Sequence, residues 1–381
     1  MEKFQRDLGI AFILYVGLFT TLGTCILTLP GSTKMRLVSA VFRHGDRSVD
    51  TVHSESYPND PYGNYTYYPD GSGQLLNVGK YRAYQFGKML RTRYNRFLGN
   101  LYYQPNIYAH SSPIVRTKMT LQLVLAALYP PANIQIWNPL LSWQPMDFFF
   151  EPSYQDNIMI PFACPVYIRL YNDIKNSAEV KAKVAEYADI MRELSKYTGT
   201  NITSPFDMML LYGTLIAESS AELRLPEWTK GIFPNKLVNA VALQFELFSY
   251  GKLNRINGGV LLRKIINDMN GVINGTLKDR KINLFSGHDL NVAAMLNALN
   301  LFDNTIPPFT SSVIIELHEK NNEFFVKVLY NLGIPAKLVE KTIPGCDTLC
   351  PYKKFIELTL KTTATDEELT CPEKMYKQFK F

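Results

Sequence analysis

A chain of 381 residues, 46% hydrophobic and 19% charged, has the apolar mass for a large core and is not a disordered polypeptide. Its net charge of +6 is spread along the sequence with no basic cluster, which argues against a nucleic-acid partner. A mild positive balance suits anionic substrates without selecting one.

At the N-terminus Lys3 and Arg6 precede an apolar run, Ile10 to Leu29. This reads as a signal peptide over residues 1–30, with small residues at Gly31-Ser32 or Gly23-Thr24 as cleavage points. An uncleaved membrane anchor is the rival reading, because the run is long. The C-terminal part has no second apolar span, so no stable membrane anchor is expected after cleavage.

The first strand is predicted over Met35 to Phe42 and runs into Arg43-His44-Gly45-Asp46-Arg47. Guanidinium forks match phosphate oxygens in charge and geometry. A histidine between them can attack phosphorus or carry a proton, and the glycine is expected to allow a tight turn. A surface loop with solvated arginines would be the ordinary alternative for any one of these residues. Their combination at the end of an apolar strand favours phosphate chemistry.

Residues 57–73, rich in Tyr, Pro and Gly, are predicted to form an irregular loop and a wall of the substrate pocket. Helical spacing follows from Gln74 to Leu98, with Lys88, Arg91 and Arg93 expected on the solvated side. A strand is expected at Ile107 to Ser111 and a helix at Ile114 to Tyr129. Arg116 falls in the first turn of that helix, where the dipole disfavours a cation unless an anion is near.

From residue 138 the composition shifts to long helical segments: Val166 to Lys196, Pro205 to Ser219, and Phe233 to Met269 with breaks near Gly231 and Gly251. The strand pattern returns at Lys281 to Ser286, followed by Gly287-His288-Asp289 and a helix from Leu290 to Leu299. Ligands of open α/β sheets bind beyond the carboxyl ends of strands, so Arg43-His44 and His288-Asp289 are expected on one edge. Helix capping is the structural alternative for Asp289, and a core role that for His288. Strands at Ser312 to His318 and Glu323 to Leu329 should form a hairpin about Asn321-Asn322, and a loop-rich segment should end the chain. His53, His110 and His318 are expected to have no catalytic role, although His110 at a strand end could line the site.

Cys25 lies in the leader, leaving Cys164, Cys346, Cys350 and Cys371, an even set that suggests two disulfides with three connectivities open. Close spacing favours Cys346 with Cys350, leaving Cys164 with Cys371. Zinc is not expected, since no histidines neighbour these cysteines. Sequons at Asn64, Asn201 and Asn274 add to a secretory reading.

These residues resemble the histidine acid phosphatases, a branch of the histidine phosphatase superfamily, with prostatic, lysosomal and insect venom acid phosphatases the most similar types. The matching features are Arg43 to Arg47, Arg116-Thr117, Leu225 to Trp228, His288-Asp289 and the late cysteine pair. The resemblance implies an α/β fold, a phosphoglycerate mutase-like, mainly parallel sheet flanked by helices. The expected domains are a discontinuous catalytic unit, residues 33–137 and 276–381, and a mostly helical cap, residues 138–275.

It also implies hydrolysis of phosphate monoesters without metal or cofactor. His44 would be the nucleophile, Asp289 the proton donor, and Arg43, Arg47, Arg116 and His288 the phosphate ligands, with an acidic optimum. A homodimer and secretion are implied, with the lysosomal lumen as the alternative location. Val49 stands where the family usually has proline, and four cysteines stand where members often have six. Two other functions remain open: a phytase or inositol-polyphosphate phosphatase of the same superfamily, and a catalytically inactive secreted binding protein.

Overall fold

Residues 33–369 and 371 are described by the computed structural model of the chain. The proposed leader, residues 1–30, lies outside them.

Strand β1 (Lys34–Arg43) is buried from Leu37 onward because both its faces are covered. Leu37 and Val41 point into one core, and Val38, Ala40 and Phe42 into the other, the period of two that a strand imposes. Strands β2 (Ile107–Ser111), β3 (Ile282–Gly287), β4 (Ser312–Lys320), β5 (Glu323–Asn331), β6 (Leu338–Lys341) and β7 (Leu349–Pro351) complete a seven-stranded sheet. Its order is β2-β3-β1-β4-β5-β6, with β7 on β5. β3 pairs in parallel with both β1 and β2, whereas β5 pairs antiparallel with β4, β6 and β7. The β4–β5 hairpin turns at Asn321 and Asn322, both at positive φ, a conformation asparagine tolerates.

Helices α1 (Asn77–Leu98) and α2 (Val115–Leu128) cover one face of the sheet. Between α2 and β3 run α3 (Pro165–Asn176), α4 (Ala178–Ala185), α5 (Ala188–Thr198), α6 (Pro205–Ser220), α7 (Asn235–Phe248) and α8 (Leu253–Ile273). Helix α8, with α9 (Asp289–Ala298) and α10 (Tyr352–Thr359), packs on the opposite face. Helices α5, α6 and α7 share a core of their own, built on Leu194, Met208, Leu215 and Phe245. The short α11 (Asp366–Leu369) ends the described helices, and no described helix is long and apolar enough to cross a membrane.

Several expectations are corrected. The helix expected over Val166 to Lys196 is three helices: Ser177 caps α4 by accepting from Val180 N, and Tyr187 leaves the helical region. Gln74 and Leu75 are not helical, because Gln74 O accepts from Ser48 N and Leu75 bridges to Arg47. The C-terminal part carries β6, β7 and α10 rather than loop alone. Arg93 is not simply solvated: it donates to the buried Glu316 carboxylate at 2.9 Å. Disulfides join Cys164 to Cys371 and Cys346 to Cys350, as the spacing favoured. Val49 is buried against Tyr67 and Ala217, a packing role for the residue that replaces proline.

Candidate active site

The parallel register brings the chemistry together. Arg43 lies opposite Gly287, and Ser111 opposite Ser286, so three strands end on one line. Backbone bonds continue past the strand ends, from His44 N to Gly287 O at 3.0 Å and from Ser112 N to Ser286 O at 3.0 Å. Arg43, His44, Arg47, Arg116, His288 and Asp289 all line one cavity of about 760 Å³. Its outer wall comes from α6 and α7, through Phe206, Met209, Tyr212 and Phe245.

Gly45 serves a purpose other than the expected turn. A Cβ there would sit 2.3 Å from Gly79 O, and one on Gly79 would sit 2.0 Å from Asp46 O. The two glycines let the N-terminus of α1 meet the loop backbone directly, and Leu76 N donates to Asp46 O at 3.0 Å.

His44 is buried at the base of this cavity. Its Nδ1 lies 2.8 Å from Gly45 O, and its Nε2 accepts from Arg116 Nε at 3.1 Å. A guanidinium can only donate, so the proton sits on Nδ1 and Nε2 carries the lone pair. Burial, reinforced by Arg116 and Arg43, pushes the imidazole well below its ordinary range and keeps it neutral. The same causes act on His288, whose Nε2 lies 3.0 Å from Ser112 Oγ. His288 can therefore serve a phosphate as a neutral hydrogen-bonding group.

Each cavity arginine has its own carboxylate. Arg43 meets Asp289 at 2.8 Å, Arg47 meets Glu55 at 2.5 Å, and Arg116 meets Asp50 at 2.8 Å. Arg43 also donates to Pro307 O at 2.7 Å and lies 4.0 Å over the Phe309 ring. The Nε atoms of Arg43 and Arg47 are buried without a partner. An unmet buried donor costs about 1–3 kcal/mol, a cost that an arriving anion would relieve. Asp289 opens α9, where its Oδ1 accepts from Leu290 N at 2.8 Å.

The residues beside these differ from expectation. The loop wall is Val52, His53, Ser54 and Glu55, not residues 57–73. His53 sits at the cavity rim with Nδ1 2.8 Å from Asp50 Oδ2. His110 does not line the cavity; it is fully buried, stacked on Phe149 at 4.4 Å and 3.5 Å from Asp156. Sequence reasoning missed Asp50, Glu55 and Ser112. The available signal was two carboxylates in the eight residues that follow Arg47, in a loop whose arginines needed compensation.

Residues 34–331 match the family model described as "Histidine phosphatase superfamily (branch 2)". A venom acid phosphatase of Apis mellifera is 42% identical over 90% of this chain and 88% of its own. Prostatic acid phosphatase of Bos taurus is 32% identical over 90% of this chain and 89% of its own. Among solved structures, apo phytase of Hafnia alvei superposes with a TM-score of 0.67 at 16% identity, covering 90% of this chain and 100% of that one. At that identity the likeness concerns the fold alone.

Proposed function

The chain belongs to branch 2 of the histidine phosphatase superfamily and is an acid phosphatase hydrolysing phosphate monoesters, and we propose that it does so through a phosphoryl group carried on His44. One observation carries this reading: a neutral, tautomer-fixed imidazole, three arginines and a carboxylate converge in one cavity from distant parts of the chain.

A phosphate dianion enters among Arg43, Arg47 and Arg116 and satisfies the two orphaned Nε–H groups. Arg116 Nε turns from His44 to a phosphate oxygen, which frees the Nε2 lone pair. That lone pair attacks phosphorus: the P–N bond forms as the P–O bond to the leaving group breaks. The dianion also competes for Arg43 and disfavours a second negative charge beside it. Asp289 therefore enters as the acid and protonates the departing oxygen. As carboxylate it then takes a proton from water, which attacks the phosphohistidine and releases inorganic phosphate. His288 hydrogen-bonds the phosphoryl oxygens throughout.

A simple monoester fits better than an inositol polyphosphate. Among the described residues lining the cavity, the only Arg or Lys side chains are the three already assigned. Val52, Ile114, Phe162, Phe206 and Met209 make the outer wall apolar, suited to an apolar leaving group. An inactive binding protein has no need of the full constellation. Both disulfides and exposed Asn64, Asn201 and Asn274 support a secreted glycoprotein, as does the venom relative; a lysosomal relative keeps that lumen as the alternative. The implied homodimer is tested by light scattering, where a monomer mass would remove it.

The direct test assays purified protein against pH with an aryl phosphate and with phytate, beside His44→Ala. We expect acid-range hydrolysis of the aryl ester, little release from phytate, and no activity in the variant. Full rate only above neutrality, or activity surviving in His44→Ala, contradicts the mechanism.

A further inference from the structure

We propose that Asp50 and Glu55, both carried by the short turn after the Arg-His motif, are positioning residues that aim Arg116 and Arg47 at the phosphoryl group. This rests on the reading of the cavity as the phosphate site.

The turn is a 3-10 segment, Thr51–His53, with Asp50 as its cap and Glu55 just beyond. It is tied to itself: Asp50 N donates to Glu55 Oε2 at 3.1 Å, and Glu55 N donates to Asp50 O at 3.2 Å. Both carboxylates are buried, at 3% and 8% exposure. Arg47 is buried as deeply as its carboxylate and the Arg116 side chain is only 11% exposed, so neither pair is a solvated surface bridge of little value.

The two carboxylates act differently. Glu55 takes one N–H from each terminal nitrogen of Arg47, Nη1 at 2.6 Å and Nη2 at 2.5 Å, and Nη1 also donates to Ser48 O at 2.9 Å, so Nε and the second N–H of Nη2 remain to meet a ligand. A bidentate fork fixes the guanidinium plane, and with it the direction of those remaining donors. Gly213 of α6 makes room for this, since a Cβ there would lie 2.5 Å from Glu55 Oε1. Asp50 takes Arg116 by Nη1 alone, while Arg116 Nε rests on the His44 lone pair. Burial works against ionisation of Asp50, but Arg116 and His53 outweigh it and hold the carboxyl below its usual range. The pull of Asp50 on one end of the guanidinium keeps the other end from closing permanently on the nucleophile. Without it, Arg116 has His44 Nε2 as its nearest fixed acceptor, with Gly73 O more distant at 3.4 Å.

The two losses should therefore separate kinetically. Asp50→Asn, which keeps the shape and the turn cap, should lower kcat as Arg116 blocks His44. Glu55→Gln should chiefly raise KM and the inhibition constant of inorganic phosphate. A misplacement of about 1 Å costs up to about 100-fold, so each should lose about 10- to 100-fold in kcat/KM.

The test is a pair of double-mutant cycles on the full chain: Asp50→Asn with Arg116→Ala, and Glu55→Gln with Arg47→Ala. Each variant is assayed with an aryl phosphate, with inorganic phosphate as inhibitor, and by thermal melting. A carboxylate that only positions its arginine has nothing left to position once that arginine is gone. Each carboxylate variant should then cost less than about threefold in the Ala background. Equal losses in both backgrounds, or kcat/KM within about twofold of the parent for Asp50→Asn and Glu55→Gln, would overturn the proposal. Should Arg116→Ala and Arg47→Ala themselves leave phosphate inhibition unchanged, the cavity is not the phosphate site and the prior reading fails instead.

Discussion

Asp289→Asn separates the proton donation proposed for Asp289 from everything else the side chain does. Asparagine keeps the size and the acceptor that Leu290 N uses at 2.8 Å, and loses only the charge that Arg43 meets at 2.8 Å. Two effects follow with opposite signs. Arg43 becomes free for phosphate, so binding is unchanged or tighter. The leaving oxygen loses its acid, worth about 10²–10⁴ in rate, or about 3–5 kcal/mol of barrier. That penalty falls on esters whose alcohol leaves poorly and spares those whose phenol leaves without help. Measured as kcat/KM, which reports the first chemical step, an alkyl phosphate should lose about 10²–10⁴ and a nitrophenyl phosphate about tenfold or less. The nitrophenyl ester should also show a burst, because Asp289 is missing from the second step as well. Equal losses for both esters would refute the assignment of Asp289 as acid.

Two buried carboxyls set opposite pH limits on stability. Burial opposes ionisation of Glu316, but His318, Tyr94 and Arg93 outweigh it and bring its pKa down to about 2. Its stabilisation is thus present above about pH 4.5 and lost on acidification, by about 2 kcal/mol between pH 5 and pH 3. The stability gap between parent and Glu316→Gln, read from urea melts, should shrink by that amount. Glu218 is the reverse case: burial and neighbouring Asp60, through its charge and a shared hydrogen bond, push it up to about 8. It is protonated in the acid range and penalises the fold as pH rises from about 4.5 to about 8, so Glu218→Gln should melt increasingly above the parent over that interval. Gly45→Ala should lose about 3 kcal/mol or more together with activity, since its Cβ meets the Gly79 backbone at 2.3 Å and neither can yield; a stable, active variant would remove that account.

Much of the site was legible because strand ends concentrate it. Arg43-His44 and His288-Asp289 each follow an apolar run, and parallel pairing of those runs puts them side by side. Arg116 could be suspected from its uncomfortable helix turn. The rest depended on contacts between distant backbones. Nothing local shows that Gly45 faces Gly79, or that residues 52–55 rather than 57–73 wall the cavity. Asp50 and Glu55 look like loop polarity until the arginines fold back onto them. His110 shared the strand-end position of the proposed catalytic groups, but its side chain lies under Phe149, away from the cavity. The long helical pattern over 166–196 hid its breaks because Ser177 caps a helix as readily as it sits within one.

The proposed mechanism passes through a covalent bond at one nitrogen, His44 Nε2. Enzyme mixed with radiolabelled or heavy-oxygen substrate, quenched within milliseconds in alkali and mapped by mass spectrometry, should carry a single acid-labile phosphoryl group on His44. Asp289→Asn should accumulate more of it. Label on another residue, or none while turnover is under way, would contradict the mechanism.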